Sequence, residues 1–126
     1  MFSMRNDPSP ACCPPKSKFV SLPVLSPALV AGVRSAFAVL ASAARIRLLH
    51  ALARASEASV GELTRQAGMK IAAASNQLRR MAAAGVVGSR RDGKQVIYFM
   101  VDPCVAELLD RGACLAIDSG RRKRRK

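Results

Sequence analysis

The sequence contains no tryptophan, one tyrosine and four phenylalanines among its 126 residues. A hydrophobic core must therefore be built from aliphatic side chains, and few aromatic rings are left for the base-stacking platforms on which RNA recognition generally depends. Acidic residues are also scarce, because 8 Asp and Glu stand against 21 Lys and Arg, a formal net charge of +13. Such a charge attracts polyanions, namely DNA, RNA or an anionic membrane surface.

The sequence also lacks the patterns of common metal and catalytic sites. Its four cysteines, at positions 12, 13, 104 and 114, include no CxxC pair, which argues against a structural zinc site. There is no glycine-rich phosphate loop, no pair of catalytic carboxylates and no convincing Ser-His-Asp or Cys-His-Asp set, so an enzyme is not expected. The single histidine, His50, is predicted to lie in the core or at a dimer interface.

No export signal or membrane span is recognised. The apolar run ALVAGVRSAFAVLASAA is interrupted by Arg34 and is better explained as a core helix. The cysteines are therefore expected to stay reduced in a cytoplasmic environment. A membrane-surface helix would need bulky apolar residues beside its cations, which the basic segment 65–101 does not supply, so no membrane partner is expected.

The positive charge is unevenly distributed along the chain. Residues 65–101 contain seven basic residues and one acidic residue, Asp92, whereas residues 102–118 contain four acidic residues and one basic residue, Arg111. The middle of the chain is thus cationic even without the last six residues, RRKRRK, which add +6. This tail is expected to be solvated and disordered; a functional alternative is that it adds non-specific DNA affinity by displacing counterions from phosphates.

Three segments are predicted from the hydrophobic pattern. Residues 1–26 show no period and are expected to form a flexible N-terminal arm, residues 27–118 a single folded domain, and residues 119–126 a basic C-terminal tail. The domain is expected to open with a helix from Pro27, and its apolar residues recur at helical spacing at Leu29, Val33, Phe37 and Leu40. It is expected to close with a helix from about Pro103 to Ile117.

The centre of the domain predicts three more helices. One follows Ser42 as N-cap, with Ile46, Leu49 and Ala53 on one face. SVGE at 59–62 is a capping box that starts a short helix with Val60, Leu63 and Ala67 inward, and Gly68 is placed to end it. The next helix would bury Ala74, Leu78 and Met81 and end at Gly85. Two short helices joined by a tight glycine-containing turn form a helix-turn-helix candidate.

The pattern then changes to that of a β-hairpin. VVGSRRDGKQVIYFMV contains two β-rich runs around Asp92-Gly93, a dipeptide favoured in tight hairpins because both residues tolerate positive φ. Three cations, Arg90, Arg91 and Lys94, lie near the tip. The predicted fold is therefore mainly α with a small β-hairpin: a winged helix-turn-helix with five helices and a two-stranded wing.

The second helix of the motif carries mainly small and polar side chains, which favours its insertion into the major groove of DNA. The major groove is about 12 Å wide, and alanines at 72–74 would allow close approach to the bases. Ser75, Asn76 and Gln77 are the candidate base readers, since Asn and Gln can bond bidentately to adenine and Ser can bond to either base type. Lys70, Arg79 and Arg80 are assigned to phosphates, which fix register, and Arg90, Arg91 and Lys94 to contacts of the wing.

Three other interpretations compete with sequence-specific DNA binding. An alanine-rich helix is simply a good helix former, and its polar residues can serve solubility alone. A nucleoid-type or RNA-binding protein would use the basic charge without reading sequence, although Tyr98 and Phe99 lie in a strand where packing is expected. A winged helix used only for protein contacts would not need the seven-to-one basic balance of residues 65–101.

The order R-x-R-L-L, SVGEL, SNQLRRM, AGVV and RRDGKQVIY carries a family resemblance. From about Phe37 to Pro103, the sequence resembles the ArsR/SmtB family of bacterial repressors. The resemblance implies a cytoplasmic, nucleoid-associated homodimer built on the first and last helices. It also implies a near-palindromic double-stranded DNA operator and repression relieved by an inducer. Lys70 departs from the family's usual Ser or Thr cap.

The resemblance also indicates where an inducer would bind. The family's Cys-x-Cys metal pair is replaced by Ser59 and Gly61, so that site is absent. The family has another site, formed by last-helix residues across the dimer. There Asp102 matches the usual Asp, Cys104 and Leu115 replace histidines, and Asp118 falls at a carboxylate position. The candidates for a regulatory metal or metalloid ion of unknown identity are thus Asp102, Cys104 and Asp118. Separately, Cys12, Cys13, Cys104 and Cys114 are candidate sensing thiols; the alternative is that they are small structural residues.

Overall fold

The computed structural model describes residues 19–124, and side chains as far as Arg121. After a 3-10 turn at Phe19–Ser21, the elements are α1 (Pro27–Leu40), α2 (Ala43–Ala55), β1 (Glu57–Ser59), α3 (Val60–Ala67), α4 (Ile71–Ala83), β2 (Val87–Asp92), β3 (Gln95–Met100) and α5 (Pro103–Arg124). The predicted five helices and the hairpin are confirmed. Cys12, Cys13 and most of the predicted arm lie outside the described residues.

Serines start the first three helices. Ser26, Ser42 and Ser59 each accept a hydrogen bond from the backbone N–H three residues later, at Leu29, Arg45 and Glu62. These bonds satisfy amide donors that lack an intrahelical partner. At Ser59 the predicted capping box is complete, because Glu62 Oε1 accepts in return from the Ser59 backbone N–H at 2.8 Å.

One core holds these elements together. Its fully buried side chains are Leu48, Leu49, Leu52, Leu63, Leu78, Met81 and Val87. The predicted stripe Ala74–Leu78–Met81 on α4 is confirmed as buried. On α3, Leu63 is buried as predicted, while Val60 and Ala67 are half-buried and pack against the core.

The predicted faces of α1 and α2 need correction. On α2 Leu49 is buried, but Ile46 is 44% exposed, because the helix buries Leu48, Leu49, Ala51 and Leu52 against several neighbouring elements. His50 is exposed in the single chain, so of its two predicted places the core is excluded and the dimer interface stays a prediction. On α1 only Leu40 is buried, and Leu29, Val33 and Phe37 remain 40–53% exposed.

The wing has a third strand that the sequence did not indicate. β1 pairs antiparallel with β3, with Ala58 opposite Tyr98, and the sheet order is β1-β3-β2. The segment Glu57–Ser59 has neither the length nor the β-branched residues that mark a strand. Ala58 is nevertheless buried at 3% exposure, and Ser59 serves as both the last residue of β1 and the cap of α3.

The hairpin turn also differs in detail from the prediction. Asp92 pairs with Gln95, so the two-residue loop is Gly93-Lys94 and not Asp92-Gly93. Gly93 has φ +67° and Asp92 stays in extended conformation. A glycine at the first of two loop positions suits a tight hairpin, because a side chain there would be strained by positive φ.

The last helix is longer than predicted. α5 continues beyond Ile117 to Arg124, so that much of the basic segment 119–126 is helical. Cations near a helix C-terminus interact favourably with the helix dipole, and Arg121 lies 3.6 Å from Asp118 one turn earlier. The expected disorder of this segment is therefore wrong as far as Arg124.

In the part of the chain that the structure describes, no single helix is long and apolar enough to cross a membrane. By length and composition alone, α1 and α2 together could span a membrane, but the pair is bent by 84° at the break between them.

The capping box makes a pH-dependent prediction. The Ser59 backbone N–H and then its hydroxyl donate to the Glu62 carboxylate and lower its pKa below the ordinary 4.5; desolvation opposes them, and Arg65 lowers the pKa further. The stabilisation from ionised Glu62 is therefore complete above pH 4.5 and is lost as the pH falls through the lowered pKa. Glu62→Gln should destabilise the protein at pH 7 but not below that pKa.

Urea unfolding of wild type and Glu62→Gln measures this effect. The free energy of unfolding is compared at pH 7 and at a pH below the lowered pKa of Glu62. Glu107→Gln, a substitution of an exposed carboxylate on α5 outside the capping box, is the matched control. An equal difference between wild type and Glu62→Gln at the two pH values would contradict the role assigned to the box.

Candidate nucleic-acid interface

The turn between α3 and α4 sets the position of α4. α3 ends at Gly68, which has φ +68°, and the Met69 N–H donates to the Thr64 carbonyl at 3.2 Å. This left-handed glycine closure turns the chain sharply, so that α4 begins after only Met69 and Lys70. The helix-turn-helix predicted from the sequence is thus formed by α3 and α4.

The outer face of α4 combines small side chains with cations. Opposite the buried Ala74, Leu78 and Met81, the helix exposes Ala72, Ala73, Asn76, Arg79 and Arg80. Ile71 is also 62% exposed at the start of the helix. The small side chains of Ala72 and Ala73 leave the helix surface narrow beside Ile71, and the polar and cationic side chains follow within two turns.

The three predicted base readers occupy different positions around the helix. Asn76 is exposed on the outer face, whereas Ser75 and Gln77 are half-buried at its two edges. Ser75 Oγ accepts from Arg79 Nη1 at 2.8 Å, so these two side chains are linked on the surface. Gln77 Oε1 accepts from Arg45 Nε on α2 at 2.8 Å, a contact that no sequence pattern indicates.

The start of α4 has no side-chain cap. Lys70 occupies the N-cap position in extended conformation, but makes no capping hydrogen bond. The first amide N–H groups of a helix point along its axis and attract anions. An exposed lysine at this point adds a full positive charge to that end of the helix.

The predicted cations of the wing are not equivalent. Arg90, Arg91 and Lys94 are all exposed. Arg90 on β2 forms an ion pair with Glu57 on β1, across the intervening strand β3. Arg91 points to the other face of the strand, as alternation requires, and Lys94 lies in the hairpin loop. The sequence carried no signal for the Glu57 contact, because β1 itself was not predicted.

Most cations of this surface have no carboxylate partner. Among the side chains that the structure describes, the ion pairs are Arg90 with Glu57 and Arg121 with Asp118. The remaining cations of α4 and the wing are Lys70, Arg79, Arg80, Arg91 and Lys94. Their mutual repulsion is relieved when a polyanion neutralises them.

A second basic surface lies on the exposed face of α2, apart from the surface formed by α4 and the wing. Arg47, His50 and Arg54 line a concavity of about 340 Å³ together with Gln66 of α3. These side chains belong to the polar face of α2, and the concavity has no residue in common with α4 or the wing. It accounts for the exposure of His50.

The candidate sensing residues that the structure describes, Asp102, Cys104, Cys114 and Asp118, do not converge within one chain. Asp102 Oδ1 accepts from the Cys104 N–H at 2.9 Å and so caps α5. Cys104 and Asp118 are separated by about 21 Å along the helix, at 1.5 Å per residue. Over residues 19–124, no three His, Cys, Asp or Glu side chains are grouped as a metal site. Cys104 and Cys114 are both exposed, about 15 Å apart along α5, too far to join in a disulfide.

Comparisons with known proteins agree with this architecture. Residues 40–90 match a family described as a helix-turn-helix domain. The HTH-type transcriptional regulator Rv0081 of Mycobacterium tuberculosis is 45% identical over 74 residues, 58% of this chain and 64% of that protein. The cadmium resistance transcriptional regulatory protein CadC of Listeria innocua is 30% identical over 76 residues, 60% of this chain and again 64% of the relative. The match thus spans somewhat less than two thirds of these curated relatives.

Solved structures extend the likeness over more of the chain. The antimony-specific transcriptional repressor AntR is 37% identical with a TM-score of 0.75, and the alignment covers 87% of this chain and 99% of AntR. The crystal structure of Rv0081 gives 38% identity, a TM-score of 0.63, and 77% and 98% coverage. A homodimeric domain from Mycobacterium bovis gives 27% identity and a TM-score of 0.65, with 78% and 93% coverage.

A helix-turn-helix flanked by a basic β-wing defines the winged helix-turn-helix class of transcriptional regulators. Within that class, the identity to AntR and Rv0081 over nearly their whole solved chains, together with the likeness to the Mycobacterium bovis domain described as a possible ArsR-family transcriptional regulator, decides the family. The chain belongs to the ArsR/SmtB family of transcriptional regulators.

The Arg90–Glu57 pair makes a prediction about the wing. Glu57→Gln removes a negative charge beside the wing and releases Arg90 for a phosphate. Exposed ion pairs are worth up to about 1 kcal/mol, so duplex affinity should rise about two- to fivefold at low salt, with a steeper salt dependence. Fluorescence anisotropy with a labelled duplex measures both quantities.

Glu107→Gln, which changes the net charge equally but on α5, is the control for this effect. If Glu57→Gln binds DNA no more tightly than the control, Glu57 does not restrain the wing.

Proposed function

We propose that the protein is a sequence-specific DNA-binding repressor that holds its operator as a homodimer and releases it when an inducer binds. The observation that carries this proposal is the outer face of α4, where Asn76 stands between alanines and cations that lack carboxylate partners among the described side chains. A surface of this shape and charge suits the major groove. The rival of non-specific binding does not require a polar reader at its centre.

Each residue of the surface has a proposed role. Asn76, with Ser75 and Gln77 at the edges of the same face, reads base edges in the groove. Lys70, Arg79 and Arg80 contact phosphates on either side and fix the register of α4. Of the wing cations, Arg91 and Lys94 contact the neighbouring backbone directly, and Arg90 does so after exchanging Glu57 for a phosphate.

The proposed homodimer explains the exposed apolar residues of the first and last helices. Leu29, Val33 and Phe37 on α1 and Leu115 and Ile117 on α5 are 40–66% exposed in one chain. Burying such side chains is favourable by about 25 cal/mol per Å² of apolar surface. A two-fold dimer places two copies of α4 against successive turns of the major groove, which requires a near-palindromic operator.

Operator preference tests the proposal directly. The duplex upstream of the protein's own gene should bind more tightly than a scrambled duplex near physiological ionic strength. Asn76→Ala should lose preference for that duplex by about tenfold, since a good base contact contributes about 1–3 kcal/mol. Lys94→Ala should instead weaken binding to both duplexes alike and reduce the salt slope by about 1.

Equal affinity of the wild type for the two duplexes would contradict sequence-specific repression and favour the nucleoid-type alternative. Retained preference in Asn76→Ala would show that α4 does not read the operator through this residue.

The inducer is proposed to be a soft metal ion, a metalloid or a thiol-reactive species. Relatives named for cadmium and antimony make this chemistry the first to test, and thiolates are ligands for soft ions. Four cysteines supply the thiols: Cys12, Cys13, Cys104 and Cys114. Because Cys104 and Cys114 lie far apart on α5, a thiolate site would combine one of them with the N-terminal pair or with the second subunit. A carboxylate site would use Asp102 and Cys104 of one subunit with Asp118 of the other, because Cys104 and Asp118 lie far apart on one helix.

A variant with all four cysteines changed to Ser tests the thiol site. It should bind the operator like the wild type, but should no longer be released by cadmium, antimonite or hydrogen peroxide. Asp102→Asn with Asp118→Asn, which leaves every thiol in place, is the matched control for a carboxylate site. Unchanged release of the four-cysteine variant would remove the thiols from the mechanism.

A further inference from the structure

The guanidinium of Arg45 is held between the end of α1 and the side of α4. Its Nε donates to Gln77 Oε1 at 2.8 Å, and its Nη1 donates to the Val39 carbonyl at 3.0 Å. Both bonds are partly buried, which weakens competition from water. Three helices therefore meet at one side chain, because Arg45 itself belongs to α2.

Arg45 is fixed by its other contacts before it reaches Gln77. Its backbone N–H donates to Ser42 Oγ at 3.3 Å, so the residue lies in the capped first turn of α2. Val39 lies in the last turn of α1, where carbonyl groups have no intrahelical partner and a cation is favoured. A planar guanidinium that is held at Nη1 presents its Nε in a defined direction, here toward α4.

The contact also decides which way the Gln77 amide faces. A guanidinium only donates hydrogen bonds, so the atom of Gln77 that meets Arg45 is the carbonyl oxygen. Turning the amide over would place its amino group against a donor and would lose a charge-assisted bond, which is stronger than a neutral one. The side chain of Gln77 is thus held in one orientation at the edge of the outer face of α4.

The Gln77 amide keeps the rest of its hydrogen-bonding capacity for a ligand. A carbonyl oxygen has two lone pairs, so Oε1 can accept a second bond, and Nε2 carries two N–H donors. Among the described residues, Nε2 has no hydrogen-bond partner, and no buried side-chain nitrogen or oxygen lacks one, so Nε2 reaches solvent. The contact with Arg45 is therefore compatible with base recognition, including the bidentate contact with adenine.

A side chain that is already ordered binds DNA at a smaller loss of entropy. Glutamine is among the residues with the most rotamer freedom, and immobilising such a side chain on binding weakens affinity by about two- to tenfold. Gln77 is restrained in the free protein by a partly buried, charge-assisted bond, so most of this loss is incurred on folding and not on binding.

We propose that Arg45 is a positioning residue for operator recognition: it orders Gln77 before DNA arrives, so that Gln77 contacts its base without the entropic loss of a free side chain. Arg45 acts through Gln77 and does not itself contact DNA. This inference rests on the proposed function, and it adds a residue outside α4 and the wing to those that set the operator preference.

A double-mutant cycle tests the inference. Wild type, Arg45→Met, Gln77→Ala and the variant with both substitutions are compared as full-length proteins by their affinities for the operator duplex and a scrambled duplex. Arg45→Met should reduce the ratio of these affinities by about two- to tenfold for each half-site, and should have no further effect in the Gln77→Ala background. Arg47→Met, which removes the same charge from an exposed position on α2, should leave the ratio unchanged.

The outcomes separate this inference from the function beneath it. A wild type that binds both duplexes equally overturns the proposed function, and this inference with it. A preference that survives in Arg45→Met or in Gln77→Ala overturns the role of Arg45 alone. So does an equal loss from Arg45→Met in the wild-type and Gln77→Ala backgrounds, which is the result expected if Arg45 contacts DNA itself or only supports helix packing.

Side-chain order in the wild type decides the question if Arg45→Met fails to fold. Relaxation of the ¹⁵N-labelled side-chain amides is measured in the free protein and in the operator complex. The Gln77 amide should be rigid in both states, whereas the amides of Gln66 and Gln95, two exposed glutamines, should be flexible in the free protein. A Gln77 amide that is as mobile as these two in the free protein, or that is mobile in the complex, overturns the inference.

Discussion

The burial of one narrow stripe on α4 is the constraint on which the rest of the structure depends. Ala74, Leu78 and Met81 are fully enclosed by α2, α3 and the base of the wing. Removing a buried side chain of the size of Leu78 commonly costs about 2–5 kcal/mol, so the rotation of the helix about its axis is firmly set. Since each residue turns an α-helix by about 100°, a slip of one position would turn Ser75 and Arg79, or Gln77 and Arg80, into the core in place of the apolar stripe.

Because the rotation of α4 is fixed, the order of its residues determines which side chains face outward. Positions 72, 73, 76, 79 and 80 point away from the core because 74, 78 and 81 point into it. The positive charge of this surface follows from the scarcity of carboxylates that pair with its cations. Apart from Glu57, no carboxylate pairs with the cations of α4 and the wing among the described side chains, and the acidic residues of the last helix lie in a separate segment, 102–118. The surface of α4 and the wing is therefore cationic and available to a polyanion.

The exposed apolar residues of α1 are explained by an interface that a single chain does not contain. α1 contacts the core through its last turn, and Leu29, Val33 and Phe37 find no cover in one chain. Isolated exposed apolar residues need no explanation, but a continuous helical stripe usually marks an interface. The proposed dimer covers this stripe and doubles the DNA-binding surface, so stability and operator recognition depend on one contact.

Local signals in the sequence predicted most of the fold. Ser42, the Ser59–Glu62 box, Gly68 and the Ala74–Leu78–Met81 stripe each act within a few residues, and the structure has all four features. The failures involve partners distant in the chain. β1 exists because Ala58 meets Tyr98, and Ile46 is exposed because the other side of α2 meets the core. The same limit applies at the site, where Arg45 reaches Gln77 over 32 positions and Glu57 reaches Arg90 over 33. The roles of individual DNA-contacting and sensing residues remain predictions, because they depend on partners that lie outside the chain.

Amide chemical-shift mapping tests the central claim, that the outer face of α4 is the surface that meets DNA. The ¹⁵N-labelled protein is titrated with the duplex from upstream of its own gene, and shifts are compared at α4, at the wing and at the second basic surface of Arg47, His50 and Arg54. The amides of Ala72, Ala73, Asn76 and Lys94 should shift most, and those of the second surface should be unaffected. Shifts centred on Arg47, His50 and Arg54, with α4 unchanged, would contradict the central claim.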